Sequence, residues 1–287
     1  MFEMSVVDAV ERLAEVIQGV PDSKLDRAWA WGAYDSEGVR FALFRSYEEL
    51  RDLAVKTSAA RVACGPPLSA AQRILGQYHG AYRDLQAALL GVGADEADRA
   101  PAEGEWPLRR VLAHIVGAEI GFYVVIRYAL DRQRSGDGRP LEIPDEAWDG
   151  IIGEDLSSVE ALLDGPLAGI QAYYRAFHKR VLQDFATIGE EELSVPSMYW
   201  EGYPMSLRFR LHRFESHLRQ HTVQVDKTLA GIGCSPNEAK RLVRLVYNAL
   251  AEAEGGILGA GEMGAELWRV AGGTISARAD ELSELLA

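Results

Sequence analysis

Six histidines occur in the chain, His79, His114, His178, His212, His217 and His221. Two of them are spaced for joint work: His217 and His221 are four residues apart, which on an α-helix puts both imidazoles on one face about one turn from each other. That is the spacing by which a single helix offers two nitrogen ligands to one ion. Gln224, three beyond His221 and seven beyond His217, shares the face and can orient one of the imidazoles. Such a pair also arises as ordinary surface polarity, so it does not define a site until a third ligand arrives from another element. His114 is the natural third, with the small side chains of Gly117 and Ala118 at i+3 and i+4 leaving space beside its ring. Three protein ligands with an open position are the arrangement of a catalytic metal site, since a closed structural zinc site usually has four. His212 lies roughly 140° round the helix from His217 and is left out. Glu119 is a candidate acid, base or partner of a ligand, with a salt bridge as the plainer expectation. His178 is a candidate pocket residue, and His79 a hydrogen-bonded histidine at the edge of a core. Tyr123, Trp106 and Trp200 read most simply as packing residues.

The elements that must position these residues are helices. Apolar residues recur at helical spacing almost throughout, and strict alternation is confined to Val39–Phe44, so the fold class is all-α. The spacing predicts helices over Ser5–Gln18, Ser36–Ala59, Ser69–Gly91, Pro107–Arg134, Ser157–Ile188, Ser206–Ala230, Pro236–Gly255 and Ile275–Ala287. Ser69 and Ser206 stand where caps would, and Pro107 where a first helical residue would. The glycine stretches Gly255–Gly261 and Ala271–Gly273 read as turns: no Lys-Ser or Lys-Thr follows at phosphate-loop spacing. An internal repeat sets the topology. A helix, a long loop with Pro101, Gly104 and Trp106, and a second helix are followed by the same order with Pro196, Trp200 and Gly202 in the loop. Two such hairpins make a four-helix bundle. The expected organisation is an N-terminal helical hairpin over residues 1–65, the bundle with its metal site over 66–232, and C-terminal helices over 233–287 packing on the N-terminal segment or the bundle.

Leu112-Ala-His114-Ile-Val-Gly-Ala-Glu119 after a Trp-Pro loop, and Glu215-Ser-His217-Leu-Arg-Gln-His221-Thr-Val-Gln224 on the last bundle helix, resemble the DinB family. Its relatives include thiol-dependent S-transferases and the mycothiol-dependent maleylpyruvate isomerase. The resemblance covers about Ser69 to Ile232. It implies an antiparallel four-helix bundle, often a homodimer, with a nickel or zinc ion on three histidines that correspond to His114, His217 and His221. Members often carry another histidine one turn before the helical pair, where this chain has Arg213.

Composition narrows the function classes. With 43 acidic against 30 basic residues and a net charge of −13, nucleic acid is not an expected partner, because phosphate neutralisation needs clustered Lys and Arg. Cys64 and Cys234 have no Cys-x-x-Cys spacing, so neither a disulfide framework nor a zinc knuckle is expected. The first twenty residues show no basic region leading into an apolar run, and Ile120–Leu130 is short for a membrane span. The expectation is a cytoplasmic protein with no membrane partner and a small-molecule substrate. Metal chemistry joined to the family resemblance points to a metal-dependent enzyme that activates a low-molecular-weight thiol for attack on a small electrophile, with hydrolysis as a close relative. The alternative is a non-catalytic, stress-related metal- or ligand-binding bundle in which the ion acts as a tie. Imidazole suits nickel, zinc and iron alike, so the spacing does not choose the ion.

Overall fold

The structure is a computed structural model; it describes residues 5–34, 37–261 and 263–287. Among these residues the chain is helical apart from loops and one short hairpin, as the spacing predicts. In order, the helices are α1 Val6–Ile17, α2 Val39–Cys64, α3 Ala70–Ala88, α4 Ala94–Ala97, α5 Leu108–Ser135, α6 Trp148–Ile152, α7 Leu156–Leu163, α8 Leu167–Phe185, α9 Leu207–Gly231, α10 Glu238–Gly256 and α11 Ala265–Leu286. The strands β1 Pro196–Ser197 and β2 Met205–Ser206 pair antiparallel between α8 and α9.

Local chemistry explains most of the boundaries. Ser5 caps α1 in a reciprocal box with Asp8, Ser206 accepts from the Phe209 N–H at the start of α9, and Asn237 accepts from the Lys240 N–H at the start of α10. Pro107 is the cap residue of α5, and α5 ends at Gly136, whose φ of 61° is the left-handed conformation that closes a helix. The expected start of the second helix at Ser36 lies outside the described residues; the alternating run Val39–Phe44 is helical.

Three expectations are corrected. The single helix Ser157–Ile188 is two, α7 and α8, because the chain turns at Asp164–Gly165 and restarts with Pro166 as the cap of α8. The turn expected at Ala271–Gly273 does not exist: α11 begins ten residues earlier than predicted and runs through it. Its buried Ile275, Ala279 and Leu282 give up more apolar surface than two interior glycines cost, at ~1 kcal/mol each. Trp200, read as a packing residue, is 72% exposed.

The chain divides into two compact units. One comprises residues 1–67, 79–92 and 235–287, the other 68–78 and 93–234. In the first, α2 packs on α10 and α1 on α11, around Val10, Leu13, Ile17, Leu50, Leu250 and Leu282. There buried Arg278 pairs with Glu49 and buried Arg83 with Glu254, whose carboxylate also lies 2.8 Å from His79 Nε2.

The second unit carries the candidate chemistry. Its long helices are the first half of α3 together with α5, α8 and α9, a helical bundle in which α5 packs on both α8 and α9. α5 is the one described helix long and apolar enough to cross a membrane by length and composition, but 72% of that stretch is buried within the structure. It is the core helix of its unit, with Val111, Leu112, Ile115, Val124 and Ile126 at or below 1% exposure. An aromatic core of Tyr78, Phe122, Phe185 and Phe214 links α3, α5, α8 and α9.

Candidate metal centre

α5 presents His114 and α9 presents His217 and His221, and the pairing of these two helices brings one ring nitrogen of each within 4.8 Å of the others. His217 Nε2 and His114 Nε2 are 3.3 Å apart. Two nitrogens on one ion, each at ~2.1 Å, lie about 3.0 to 3.4 Å from each other at angles between octahedral and tetrahedral. The His114–His217 spacing falls in that range. His217 and His221 are buried and His114 is exposed, so the cluster opens on the His114 side.

Two of the donors are in the state that binding a cation requires. Burial first, and the neighbouring His221 second, lower the pKa of His114 from the ordinary histidine value. Burial, His221, His114 and then Arg213 lower His217 further, to about 3. Both rings are therefore neutral at pH 7 and offer a lone pair. Gln224 Oε1 is 2.8 Å from His221 Nδ1. A carboxamide oxygen only accepts, so Nδ1 carries the proton and Nε2 the lone pair. The Nδ1 of His217 is buried with no hydrogen-bond partner among the described residues. Its ring is set by packing instead, perpendicular to Phe122 at 5.5 Å between centroids. A donor set of three imidazoles, two on the i, i+4 face of one helix and one from its neighbour, fits a borderline divalent ion such as zinc or nickel.

A cleft of about 320 Å³ lies beside the triad, lined by Gly104, Glu105, Trp106, His221 and Gln224. Trp106 stands edge-on to His114 at 5.3 Å, and Glu105 is engaged by Lys227 at 2.8 Å. The Trp-Pro loop of the first repeat thus walls the opening.

The other candidates sit elsewhere. Glu119 lies about 140° round α5 from His114 and is fully buried, accepting from Tyr78 Oη at 2.5 Å and Tyr174 Oη at 2.9 Å. The expected salt bridge is replaced by two phenol hydroxyls, and burial, against the effect of those two donors, pushes its pKa up to about 8. His178 belongs with this cluster, its ring 4.6 Å from Tyr78; neither Glu119 nor His178 lines the cleft or offers an atom to the triad. His212 is exposed, and Tyr123 is buried and donates to Asp184.

Sequence reading passed over Tyr199, Glu201 and Arg210. Arg210 is fully buried, donates to Ser197 Oγ and pairs with Glu201, which fastens the β1–β2 hairpin to α9. Arg210 and Arg213, seven and four residues before His217, share its helical stripe, and that periodicity was the available signal.

A family model described as the DinB superfamily matches residues 77–225, just over half of the 287 residues and a span that contains all three histidines. No curated protein and no solved structure matches the chain.

Proposed function

Because the chain belongs to the DinB superfamily, we propose that its second unit is a metal-dependent enzyme holding one divalent ion, nickel or zinc, on His114, His217 and His221. The reaction class is transfer of a low-molecular-weight thiol to a small electrophile. The observation that carries this reading is the convergence of three imidazoles beside a cleft, with two of them buried and the third at the surface. An ion bound there would supply Lewis acidity that keeps a thiol ionised at neutral pH.

The remaining roles belong to the chain. The depressed basicity of His114 and His217 keeps protons from competing for the ligand nitrogens. Gln224 fixes the tautomer of His221. Trp106 and the backbone at Gly104 shape the approach. Glu119, sealed between two tyrosines, acts on no substrate proton.

Elemental analysis of protein purified without a histidine tag checks the first step. The expected result is close to one equivalent of nickel or zinc in the wild type and less than about a tenth in His217→Ala, since two imidazoles alone bind loosely. Conjugation of a thiol to 1-chloro-2,4-dinitrobenzene, followed with and without chelator, checks the second. Full metal occupancy with no turnover across several thiols would favour a non-catalytic metal-binding role, and a metal-free wild type supplied with both ions would end the proposal.

A further inference from the structure

Two arginines beside the triad have no anion to hold. On α9, Arg208 pairs with Glu190, Arg210 with Glu201 and Arg219 with Glu215. On α5, Arg109 pairs with Asp98, Arg127 with Asp131 and Arg134 with Glu192, while Arg132 donates to the Pro196 carbonyl. Arg110 and Arg213 are the exceptions: among the described residues neither has a carboxylate or carbonyl partner, although acidic residues outnumber basic ones by 43 to 30.

Their positions are equivalent. Each lies four residues before a triad histidine, Arg110 before His114 and Arg213 before His217, so each shares its helix face with a ligand one turn away. Each also rests on the aromatic ring that packs against that histidine. The Arg110 guanidinium is 4.7 Å from the centre of Trp106, which stands edge-on to His114. The Arg213 guanidinium is 5.7 Å from the centre of Phe122, which is perpendicular to His217. Arg213 is half-buried, and the carboxylate whose field it shares, Glu201, is already held by Arg210. Glu105 in the cleft is held by Lys227.

We infer that Arg213, assisted by Arg110, is a specificity-determining residue that binds the carboxylate of an anionic substrate beside the metal centre. The inference rests on the metal reading above. Charge leads to the same place: a divalent ion on three imidazoles, with two guanidiniums alongside and Glu201 and Glu105 already paired, makes a concentrated positive field that anionic small molecules complete. A guanidinium holds a carboxylate through two parallel N–H donors, which gives orientation as well as attraction. The carboxylate could be carried by the thiol or by the electrophile.

The test uses the full chain loaded with Co²⁺, whose visible bands report occupancy and whose near-ultraviolet charge-transfer band reports thiolate binding. 3-Mercaptopropionate and its neutral amide, 3-mercaptopropionamide, are titrated separately, and succinate is titrated by thermal shift. The expected result is binding of 3-mercaptopropionate at least about tenfold tighter than the amide, with the preference collapsing in Arg213→Gln, partly kept in Arg213→Lys and reduced in the surface variant Arg110→Gln. The Kd of the amide stays unchanged. If the thiols bind alike but succinate raises Tm in wild type and not in Arg213→Gln, the carboxylate belongs to the electrophile and the inference also stands. Equal thiol affinities with no succinate effect, or a preference that persists in both glutamine variants, overturn it while leaving the metal reading intact. Failure of the visible bands to appear overturns the metal reading, and this inference with it.

Discussion

At the scale of single residues, the chain separates two kinds of buried polar group. His217 is buried with its neutral form favoured, and what gathers around it is nitrogen donors and an arginine. Glu119 is buried with its neutral form favoured as well, yet what surrounds it is phenol hydroxyls, which hold it as a structural tie between α3, α5 and α8. The sign of its effect follows from linkage. With a folded-state pKa of about 8 against the ordinary 4.5, the folded protein keeps a proton that the unfolded chain releases. The stability this carboxyl contributes is therefore complete below pH 4.5 and is lost as pH rises through 8. In metal-free protein, the Tm of wild type should fall relative to Glu119→Gln between pH 5 and pH 9, by roughly 5 °C. Parallel Tm profiles for the two proteins would show that the carboxyl ionises normally. The histidine triad was legible because its chemistry is written in spacing, i and i+4 on one helix with a third histidine near the start of the second helix of the first repeat. The tyrosine clasp on Glu119 was not, since Tyr78 and Tyr174 lie 41 and 55 residues from it and only packing brings them together.

At the scale of elements, the β1–β2 hairpin is the element that helical periodicity could not reveal. It is fixed from below by Arg210, through Ser197 and Glu201, and by Arg132 at the Pro196 carbonyl. From above, Tyr199 reaches over α5 at Gly121, where a Cβ would meet the Tyr199 hydroxyl at 2.1 Å and its ring carbon at 3.0 Å. Gly121 is thus a seat for the hairpin, eleven residues before α5 reaches Arg132. Gly121→Ala should destabilise the protein by about 1–3 kcal/mol, the cost of overpacking. Tyr199→Phe in the same chain should recover part of that loss by removing the closer atom, and chemical denaturation of the two singles and the double would measure the coupling. Additive effects would mean that the tyrosine and the glycine do not meet. Helix positions were mostly legible from caps and stripes, apart from the short α4 and α6; the errors in the long helices fell at Gly165-Pro166 and Gly272-Gly273, where the same residue type ends one helix and is carried inside another. What distinguishes them is burial on either side, which sequence does not display.

At the scale of the whole molecule, an ion held by the triad would be linked to the fold by mass action. An ion that bridges α5 and α9 and binds only the folded protein should add about 2.7 kcal/mol at a hundredfold excess over Kd. Hydrogen exchange at the amides of α5 and α9 should slow on loading with zinc or nickel, return to its starting rate with chelator, and not change in His217→Ala. Exchange rates in those helices that ignore the ion would argue against a bridging site. The division of the chain was only partly readable. The expected bundle began at residue 66 and ended at 232, whereas residues 79–92 belong to the unit formed by the chain ends. The stripe from Ala71 to Leu89 is continuous, and periodicity tells which face of a helix is covered but not by what. The packing of α1 on α11 carries a consequence for how the protein is made. Residues 68–78 and 93–234 can assemble while translation continues, but Val6, Val10, Leu13 and Ile17 are not fully covered until residues 265–286 have left the ribosome. Until then α1 carries a partly bare greasy strip, a natural target for chaperones and a point of aggregation when elongation stalls.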